Sequence, residues 1–196
     1  MSTFIRNLLG AAMISAAVMA AALPAHANTA PFEGVVLVPP AAQNNDAAPQ
    51  GFKRGVIVDY TTTLAAGSIV VVTKQHALYF VLGNGKAVKY PVATAKKGFE
   101  WKGTNTVSAK TKWPDWRPPV EMRKRRPELP AYMAGGPKNP LGARAIYLGS
   151  SIYRIHGTNE PSSIGKAASS GCIRMQNADV IELYGHVKAG ATVIVS

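Results

Sequence analysis

Short runs of β-branched and aromatic residues, separated by glycine-containing and polar turns, dominate the chain from about Ser68 onwards. Ile69–Val72 and Ala77–Leu82 are two such runs, and Gly83–Lys86 reads as a turn before Val88–Val92. This succession predicts an antiparallel meander. The same pattern predicts further strands at Thr104–Thr111, Ala145–Ser150, Ser151–His156 and Ala191–Val195.

Helical spacing is clearest near the C-terminus. Asn177 is placed as the N-cap of a helix and Gly190 suits its C-terminal stop. Between them, apolar residues recur at helical spacing: Val180, Ile181, Tyr184 and Val187. Many strands with few helices predict a mainly β fold, in the sense of a β-rich α+β domain with short helices.

A long segment, Trp113–Pro140, fits neither strand nor helix. It is rich in proline and contains Trp113, Trp116, Tyr132 and a Gly135-Gly136 pair. A loop of this length inside a compact domain predicts a lid or substrate-binding loop. The alternative is a disordered surface loop, which the two tryptophans disfavour because an unpacked indole is costly.

The N-terminal 27 residues have the pattern of a secretory signal. Arg6 precedes an uncharged alanine- and leucine-rich stretch, Leu8–Leu23, and Ala25–Ala27 offers a small-x-small cleavage site. The alternative, an uncleaved membrane anchor, is disfavoured by the weak hydrophobicity of alanine. We therefore expect an exported, periplasmic protein with three parts: signal peptide 1–27, an Ala/Pro-rich lead-in or linker 28–66 with a short strand at Val56–Val58, and a compact domain 67–196.

The chain is basic, with 22 Lys+Arg against 10 Asp+Glu and a formal net charge of +12. Positive charge suits an anionic surface or polymer, such as a cell wall or lipid headgroups. Nucleic acid is disfavoured as a partner because the chain has an export signal and no nucleic-acid-binding motif. The basic run Arg123–Arg126 is expected to be a solvated face.

Cys172 is the only cysteine, so it cannot form an internal disulfide. Cysteines of exported proteins are usually paired in disulfides, so an unpaired one indicates either a catalytic thiol or an intermolecular disulfide. A thiol nucleophile needs a base. His26 leaves with the signal, His76 falls in a predicted hairpin turn, and His186 falls in the last turn of the helix, where a structural role is expected. His156, at a predicted strand end, is the expected base.

The residues around the cysteine suggest the rest of a site. Gly171 permits a tight turn, in which the backbone amides of Ser170, Gly171 and Cys172 converge as an oxyanion hole. Ser169 is expected to orient the imidazole of the base through its hydroxyl or its carbonyl. Arg174 offers either a cation for a substrate carboxylate or a salt bridge within the fold.

Two segments carry a resemblance to a known family. His156-Gly157-Thr158 followed by Ser169-Ser170-Gly171-Cys172-Ile173-Arg174-Met175 resembles the signature of the L,D-transpeptidase catalytic domain. Met133–Ala145 is similar to the segment that precedes this signature in the family's periplasmic bacterial branch. The resemblance covers about residues 67–196.

The resemblance implies a β-sandwich or barrel with short helices and the long Pro/Trp-containing loop, and a cysteine acyltransferase that needs no metal or cofactor. The implied reaction is attack of the Cys172 thiolate on the diaminopimelate–D-alanine bond of a peptidoglycan stem tetrapeptide. His156 transfers protons, Ser169 supports the histidine, and the acyl group passes to an amine of another stem or of an outer-membrane protein. Many members carry a second histidine where this chain has Ser170, so a contribution of that imidazole is missing here.

Three other functions compete with this interpretation of the sequence. A non-catalytic peptidoglycan-binding domain is disfavoured by the intact thiol, base and glycine turn. An L,D-carboxypeptidase, in which water replaces the amine, differs only in the acceptor and stays open. A papain-like peptidase is disfavoured because its cysteine precedes its histidine, the reverse of the order here. The sequence leaves the oligomeric state open.

Overall fold

A computed structural model describes residues 51–196. The predicted signal peptide and most of the predicted lead-in lie outside these residues. The strands are β1 (Val56–Asp59), β2 (Ile69–Val72), β3 (Ala77–Gly83), β4 (Lys86–Pro91), β5 (Thr94–Ala95), β6 (Gly103–Lys112), β7 (Arg144–Leu148), β8 (Arg154–His156), β9 (Ala167–Ser169), β10 (Ile173–Arg174) and β11 (Thr192–Val195). The α-helices are α1 (Val120–Arg125) and α2 (Asn177–His186). The predicted mainly β fold is confirmed.

Nine strands form one mixed sheet in the order β1-β4-β3-β2-β11-β6-β7-β8-β10, and β5 pairs separately with β9. The predicted meander is present as β2-β3-β4, closed by a turn in which Asn84 and Gly85 both have positive φ. That turn chemistry matches the twist of a hairpin. The parallel pairs β2–β11 and β8–β10, between strands far apart in the chain, had no signal in the sequence.

The long strand β6 connects the two halves of the sheet. It pairs with β11 through its first half and with β7 through its second, and its register shifts between Val107 and Ala109. Such irregularities bend a strand. Side chains from both halves and from α2 consequently meet in one buried core, including Leu78, Tyr90, Ile146, Leu148, Ile155, Ile173, Val180, Leu183 and Val193.

The compact fold begins before the predicted boundary at Gly67. β1 pairs antiparallel with β4 at the edge of the sheet, and Phe52 is buried in the main core. The backbone amides of residues 53–55 donate to the carboxylate of Glu182 on α2, at 2.5 to 3.2 Å. This segment therefore packs as part of the domain, although its composition gave only one short strand.

Helix α2 begins at Asn177, so the prediction of Asn177 as N-cap is wrong by one position. The N-cap is Gln176, and no side chain makes a capping hydrogen bond. The reason is that the Asn177 amide bonds to two other segments of the chain, as described below. Val180 and Leu183 face the core, whereas Ile181 is 43% exposed.

The segment Trp113–Pro140 is ordered and contains the short helix α1. Trp116 and Met133 exchange two backbone hydrogen bonds of 2.8 and 2.9 Å, which close the segment on itself. The buried Asn139 amide donates to the carbonyl oxygens of Pro114, Met133 and Ala134. Trp116 is half-buried as expected, but Trp113 is 46% exposed.

Within residues 51–196, neither α-helix has the length and hydrophobicity needed to cross a membrane.

Candidate active site

A cleft of about 650 Å³ lies between the Trp113–Pro140 segment and the β8–β10 end of the sheet. Cys172 and His156 both line it, together with Ser169, Ser170 and Arg174. The Trp113–Pro140 segment contributes Trp116, Pro119, Met122, Arg125, Arg126, Leu129, Met133, Lys138 and Pro140 to the other wall. The structure thus brings five of the six predicted site residues to one cleft, and the sixth, Gly171, is part of the same turn.

His156 is the last residue of β8 and is 4% exposed. β8 pairs with β7 on one side and with β10 on the other, and His156 lies opposite Arg174 in the parallel pair. Its Nδ1 lies 2.6 Å from the carbonyl oxygen of Gly157. Because a carbonyl only accepts, Nδ1 carries the hydrogen and Nε2 keeps its lone pair. The imidazole is therefore held in the tautomer that a general base needs.

Burial lowers the pKa of His156 to about 3, and the guanidinium groups of Arg174 and Arg154 lower it further against the opposing hydrogen bond to Gly157. A buried imidazolium is disfavoured because it loses its hydration. His156 is therefore neutral at neutral pH, and the same burial makes its imidazole a weak proton acceptor.

Cys172 lies on a turn between β9 and β10 and is half-buried. The turn depends on Gly171, whose φ of 109° lies in the region that favours glycine. A Cβ at Gly171 would come within 2.5 Å of the Tyr153 ring. No side chain other than hydrogen fits this position without movement of the ring, which explains the glycine before Cys172.

Burial raises the pKa of the Cys172 thiol, and the nearby cations Arg154 and Arg174 act in the opposite direction. The thiol contacts the carbonyl oxygen of Ile152 at 4.0 Å, and Arg154 Nη2 donates to the same oxygen at 3.1 Å. Arg154 was not singled out from the sequence. The sequence did contain a signal for Arg154. It lies two residues before His156 on the same strand, so the two side chains lie on the same face of the sheet.

Ser169 does not hold the imidazole in the way expected from the sequence. Its hydroxyl donates to the carbonyl oxygen of Cys172 at 2.5 Å, and its carbonyl accepts from the amide of Lys96 at 3.0 Å. The Ser169 hydroxyl oxygen also accepts from the Gly171 amide at 3.2 Å. The group that orients the imidazole is the Gly157 carbonyl, while Ser169 stabilises the turn that carries Cys172.

Arg174 forms a salt bridge within the fold, which is one of the two alternatives that the sequence left open, and its side chain also lines the cleft. Nη1 forms a salt bridge with Glu160 Oε2 at 3.0 Å, and the Arg174 backbone bonds to Ala93 in both directions. The side chain of Arg174 is 22% exposed and lines the cleft, whereas Glu160 is 64% exposed. The cation is thus fixed by the fold and still faces the cleft.

Asn177 holds the histidine segment to the start of α2. Its Oδ1 accepts from the amides of Ala143 at 2.9 Å and Thr158 at 3.2 Å, and its Nδ2 donates to the Thr158 carbonyl at 2.9 Å. A Cβ at Gly157 would come within 2.1 Å of Asn177 Oδ1. Because Gly157 has no side chain, the Asn177 amide can come close enough to bind the backbone of Thr158.

The other two described histidines lie elsewhere. His76 Nδ1 contacts Thr94 Oγ1 at 2.8 Å, in the short turn between β2 and β3. The His186 ring stacks on Phe52 at 3.8 Å between centroids, which confirms the structural role expected of it. Within residues 51–196, no group of three or more His, Cys, Asp or Glu side chains is arranged to hold a metal ion.

Comparison with known proteins places this arrangement in a family. A family model described as L,D-transpeptidase catalytic domain (YkuD) matches residues 66–195. A curated relative named "Probable L,D-transpeptidase ErfK/SrfK" from Escherichia coli is 35% identical over 139 residues, covering 67% of this chain. The match covers only 44% of that relative, so more than half of its length has no counterpart in the aligned region.

Two solved structures show the same fold. "L,D-transpeptidase from Mycobacterium smegmatis" aligns with a TM-score of 0.55 at 17% identity, covering 74% of this chain and 69% of that one. A Brucella melitensis chain titled "Probable carnitine operon oxidoreductase caia" is 41% identical, with a TM-score of 0.50, covering 72% of this chain and 91% of that one. Its title names a different activity, whereas the family model and the curated relative agree with each other. On these matches, this chain belongs to the L,D-transpeptidase catalytic domain family.

Proposed function

We propose that this chain is an exported peptidoglycan L,D-transpeptidase that acts through a Cys172 thioester. The observation that carries the proposal is the pairing, in one cleft, of a thiol on a glycine turn with a neutral imidazole whose Nδ1–H is bonded to the Gly157 carbonyl. A thiol and a neutral imidazole in one cleft are the parts of a cysteine nucleophile and its base. Membership of the family supports the choice of substrate.

In the first half-reaction, His156 Nε2 takes the thiol proton and Cys172 Sγ attacks the carbonyl carbon of the diaminopimelate–D-alanine bond. The C–N bond then breaks, His156 returns the proton to the leaving amine, and D-alanine departs from a thioester. In the second, the acceptor amine attacks the thioester and gives a proton to His156, the C–S bond breaks, and His156 returns the proton to the Cys172 thiolate. No net redox change occurs.

Backbone amides of the nucleophile turn are the proposed oxyanion donors. The Gly171 amide already donates to Ser169, which leaves the Cys172 and Ser170 amides as the principal donors. Ser169 is proposed as a positioning residue for this turn, since its hydroxyl bonds to the Cys172 carbonyl.

The charge of the cleft fits an acidic peptide. Its lining includes Lys96, Arg125, Arg126, Lys138, Arg154 and Arg174, against one carboxylate, Glu160. Stem peptides carry several carboxylates, and a cleft of one sign of charge concentrates ligands of the other. We propose that Arg174 binds one of these carboxylates, since it is fixed by β10 and faces the cleft. The periplasm and a cleaved signal peptide 1–27 belong to this proposal.

The test is to incubate the purified chain with a disaccharide-tetrapeptide muropeptide and to identify products by mass spectrometry, with Cys172→Ala as control. A dimer that has lost one D-alanine, absent with the variant, is the expected result and establishes a 3→3 cross-link. Loss of D-alanine without a dimer would identify a carboxypeptidase or an enzyme that requires a protein amine. An unchanged substrate would overturn the proposal in favour of a binding domain.

A further inference from the structure

The peptide group that joins Gly171 to Cys172 is held by a residue outside the proposed mechanism. Trp101 lies in the loop 96–102, between β5 and β6. Its indole Nε1–H donates to the Gly171 carbonyl oxygen at 2.7 Å, across 70 positions of sequence. This is a short, specific contact between a side chain and the one peptide that precedes the nucleophile.

The direction of this hydrogen bond sets the direction of the Cys172 amide. The Gly171 carbonyl and the Cys172 N–H belong to the same planar peptide group, and residues 51–196 contain no cis peptide bond. In a trans peptide the C=O and N–H bonds point in opposite directions. Because Trp101 holds the Gly171 carbonyl oxygen towards the indole, the Cys172 N–H points away from the indole.

The indole itself is held firmly. It stacks on the Tyr153 ring with centroids 4.4 Å apart and an angle of 6° between the planes. The Tyr153 ring in turn lies so close to Gly171 that a Cβ there would meet it at 2.5 Å. The Lys96 amide, at the other end of the loop, donates to the Ser169 carbonyl at 3.0 Å. Loop 96–102 therefore contacts the nucleophile turn at two points.

Rotation of the Gly171–Cys172 peptide group about its flanking bonds would turn the Cys172 N–H away from an oxyanion. One of these bonds belongs to Gly171, which has a φ of 109° and more allowed conformations than other residues, so the peptide has this freedom. The hydrogen bond from Trp101 Nε1–H to the Gly171 carbonyl oxygen restricts this rotation. Preorganised donors stabilise a transition state because they need no reorientation during the reaction.

We propose that Trp101 is a positioning residue for the oxyanion hole: its hydrogen bond to Gly171 aims the Cys172 amide at the oxygen that becomes negative during acyl transfer. The inference rests on the proposed function, because an oxyanion forms only if Cys172 attacks a carbonyl. It assigns to Trp101 no contact with the substrate.

Two reactions of the same thiol separate this role from a general structural one. Acylation by a carbapenem forms a bond from Sγ to the β-lactam carbonyl, breaks the ring C–N bond, and passes through an oxyanion. Alkylation by iodoacetamide forms an S–C bond with loss of iodide, and no oxyanion appears. Both rate constants are measured for the wild-type chain, for Trp101→Phe, which keeps a ring on Tyr153 but lacks the donor, and for Trp113→Phe as matched control.

We expect Trp101→Phe to slow acylation about tenfold, since a net hydrogen bond corresponds to a factor of that order. Alkylation should be unchanged, and Trp113→Phe should change neither rate, because Trp113 is exposed and does not line the cleft. With the muropeptide substrate, kcat should fall for Trp101→Phe while KM stays constant, as expected for an interaction made only in the transition state.

Equal acylation rates for Trp101→Phe and wild type would overturn the inference, as would a parallel fall of both reactions, which indicates a displaced thiol. If Trp101→Phe does not fold, a 3-benzothienylalanine at position 101 replaces only the N–H by sulfur and gives the same test. A wild-type chain that is alkylated but never acylated would overturn the proposed function, and with it the need for an oxyanion hole.

Discussion

His156 is part of a strand, whereas Cys172 lies on a turn between two strands, and the two are held by different kinds of contact. The histidine side of the cleft, residues 156–158, is fixed by strand register on both edges of β8 and by the Asn177 amide. The cysteine side, residues 169–172, is fixed by side-chain contacts from Ser169, Trp101 and Tyr153 to one glycine turn.

The difference shows where stability and catalysis are coupled. The histidine side shares its contacts with the core and with α2, so a change there disturbs packing and activity together. The cysteine side is a turn held by side-chain contacts, and we expect a change there to move Cys172 with less loss of packing. Variants of the two sides should therefore differ in the ratio of lost activity to lost stability.

We expect the largest loss of acyl transfer from substitutions that remove the thiol or the imidazole. Cys172→Ala and His156→Gln should each abolish acyl transfer, because the first has no nucleophile and the second has no base. The circular dichroism spectrum of both should stay that of the wild type. The measurement is D-alanine release from a muropeptide. A fully active Cys172→Ala variant would show that the thioester mechanism is wrong.

Gly171→Ala should have the next largest effect and should act on the cysteine side alone. The new methyl meets the Tyr153 ring at 2.5 Å and requires a φ near 109° that alanine disfavours, so the turn must shift. We expect acylation to fall by about a hundredfold or more, the order seen when an oxyanion donor is lost.

Gly165→Ala is the matched control for this substitution. Gly165 lies in the same connection and has a φ of 82°, but a Cβ there meets nothing within 4 Å. Alanine at position 165 would therefore have a similarly unfavourable positive φ but would not clash with a neighbouring side chain. If both variants lose acylation equally, then strain in the connection, and not the contact with Tyr153, limits the reaction.

Asn177→Ala should act on the histidine side. It leaves the amides of Ala143 and Thr158 without their acceptor and the Thr158 carbonyl without its donor. We expect the free energy of unfolding to fall by about 3 kcal/mol, since each unsatisfied group costs on the order of 1 kcal/mol or more. Acyl transfer should fall about tenfold as the Gly157 carbonyl loses its fixed position. Urea unfolding measures the first effect.

Gln176→Ala, one position earlier, is the control for Asn177→Ala. Gln176 is exposed, and its side chain makes no capping hydrogen bond. Its replacement should leave both stability and acylation unchanged. A loss of stability equal to that of Asn177→Ala would place the effect at the start of α2 and not in the histidine segment.

The sequence predicted the strands and the candidate reacting residues of both sides better than the contacts that hold them. Continuous runs of β-branched and aromatic residues located β2 and β3 almost residue by residue, because such runs are typical of strands that are buried on both faces. His156, Cys172 and the glycine turn followed from residue type and spacing. A short strand was expected at 56–58 and β1 spans 56–59, but its place in the sheet depends on pairing with β4, which no local pattern encodes.

The supporting residues were missed for the same reason. Trp101 and Asn177 act through hydrogen bonds to backbone groups 70 and 19 or more positions away, and neither contact has a sequence period. Asn177 was recognised as a helix-start residue but not as a partner of Thr158. Ser169 was expected to orient His156, yet a carbonyl one residue from the imidazole, that of Gly157, does so.

The smallest expected effect tests the buried neutral state of His156 through the pH dependence of stability. Its pKa is about 3 in the fold and near its ordinary value of 6.5 when unfolded. Between these values the unfolded chain binds a proton that the folded chain does not. The contribution of this group to stability is therefore complete above the unfolded pKa and is lost as the pH falls towards the folded pKa.

Urea unfolding of wild type and His156→Gln at about pH 7 and about pH 5 isolates this contribution, because all other titrating groups are common to both. Wild type should lose about 2 kcal/mol more than the variant over this interval, at roughly 1.4 kcal/mol per pH unit below the unfolded pKa. An equal loss in both would mean that the imidazole takes up its proton in the folded state. His156 would then be charged in mildly acidic solution, and the description of the histidine side as buried and neutral would fail.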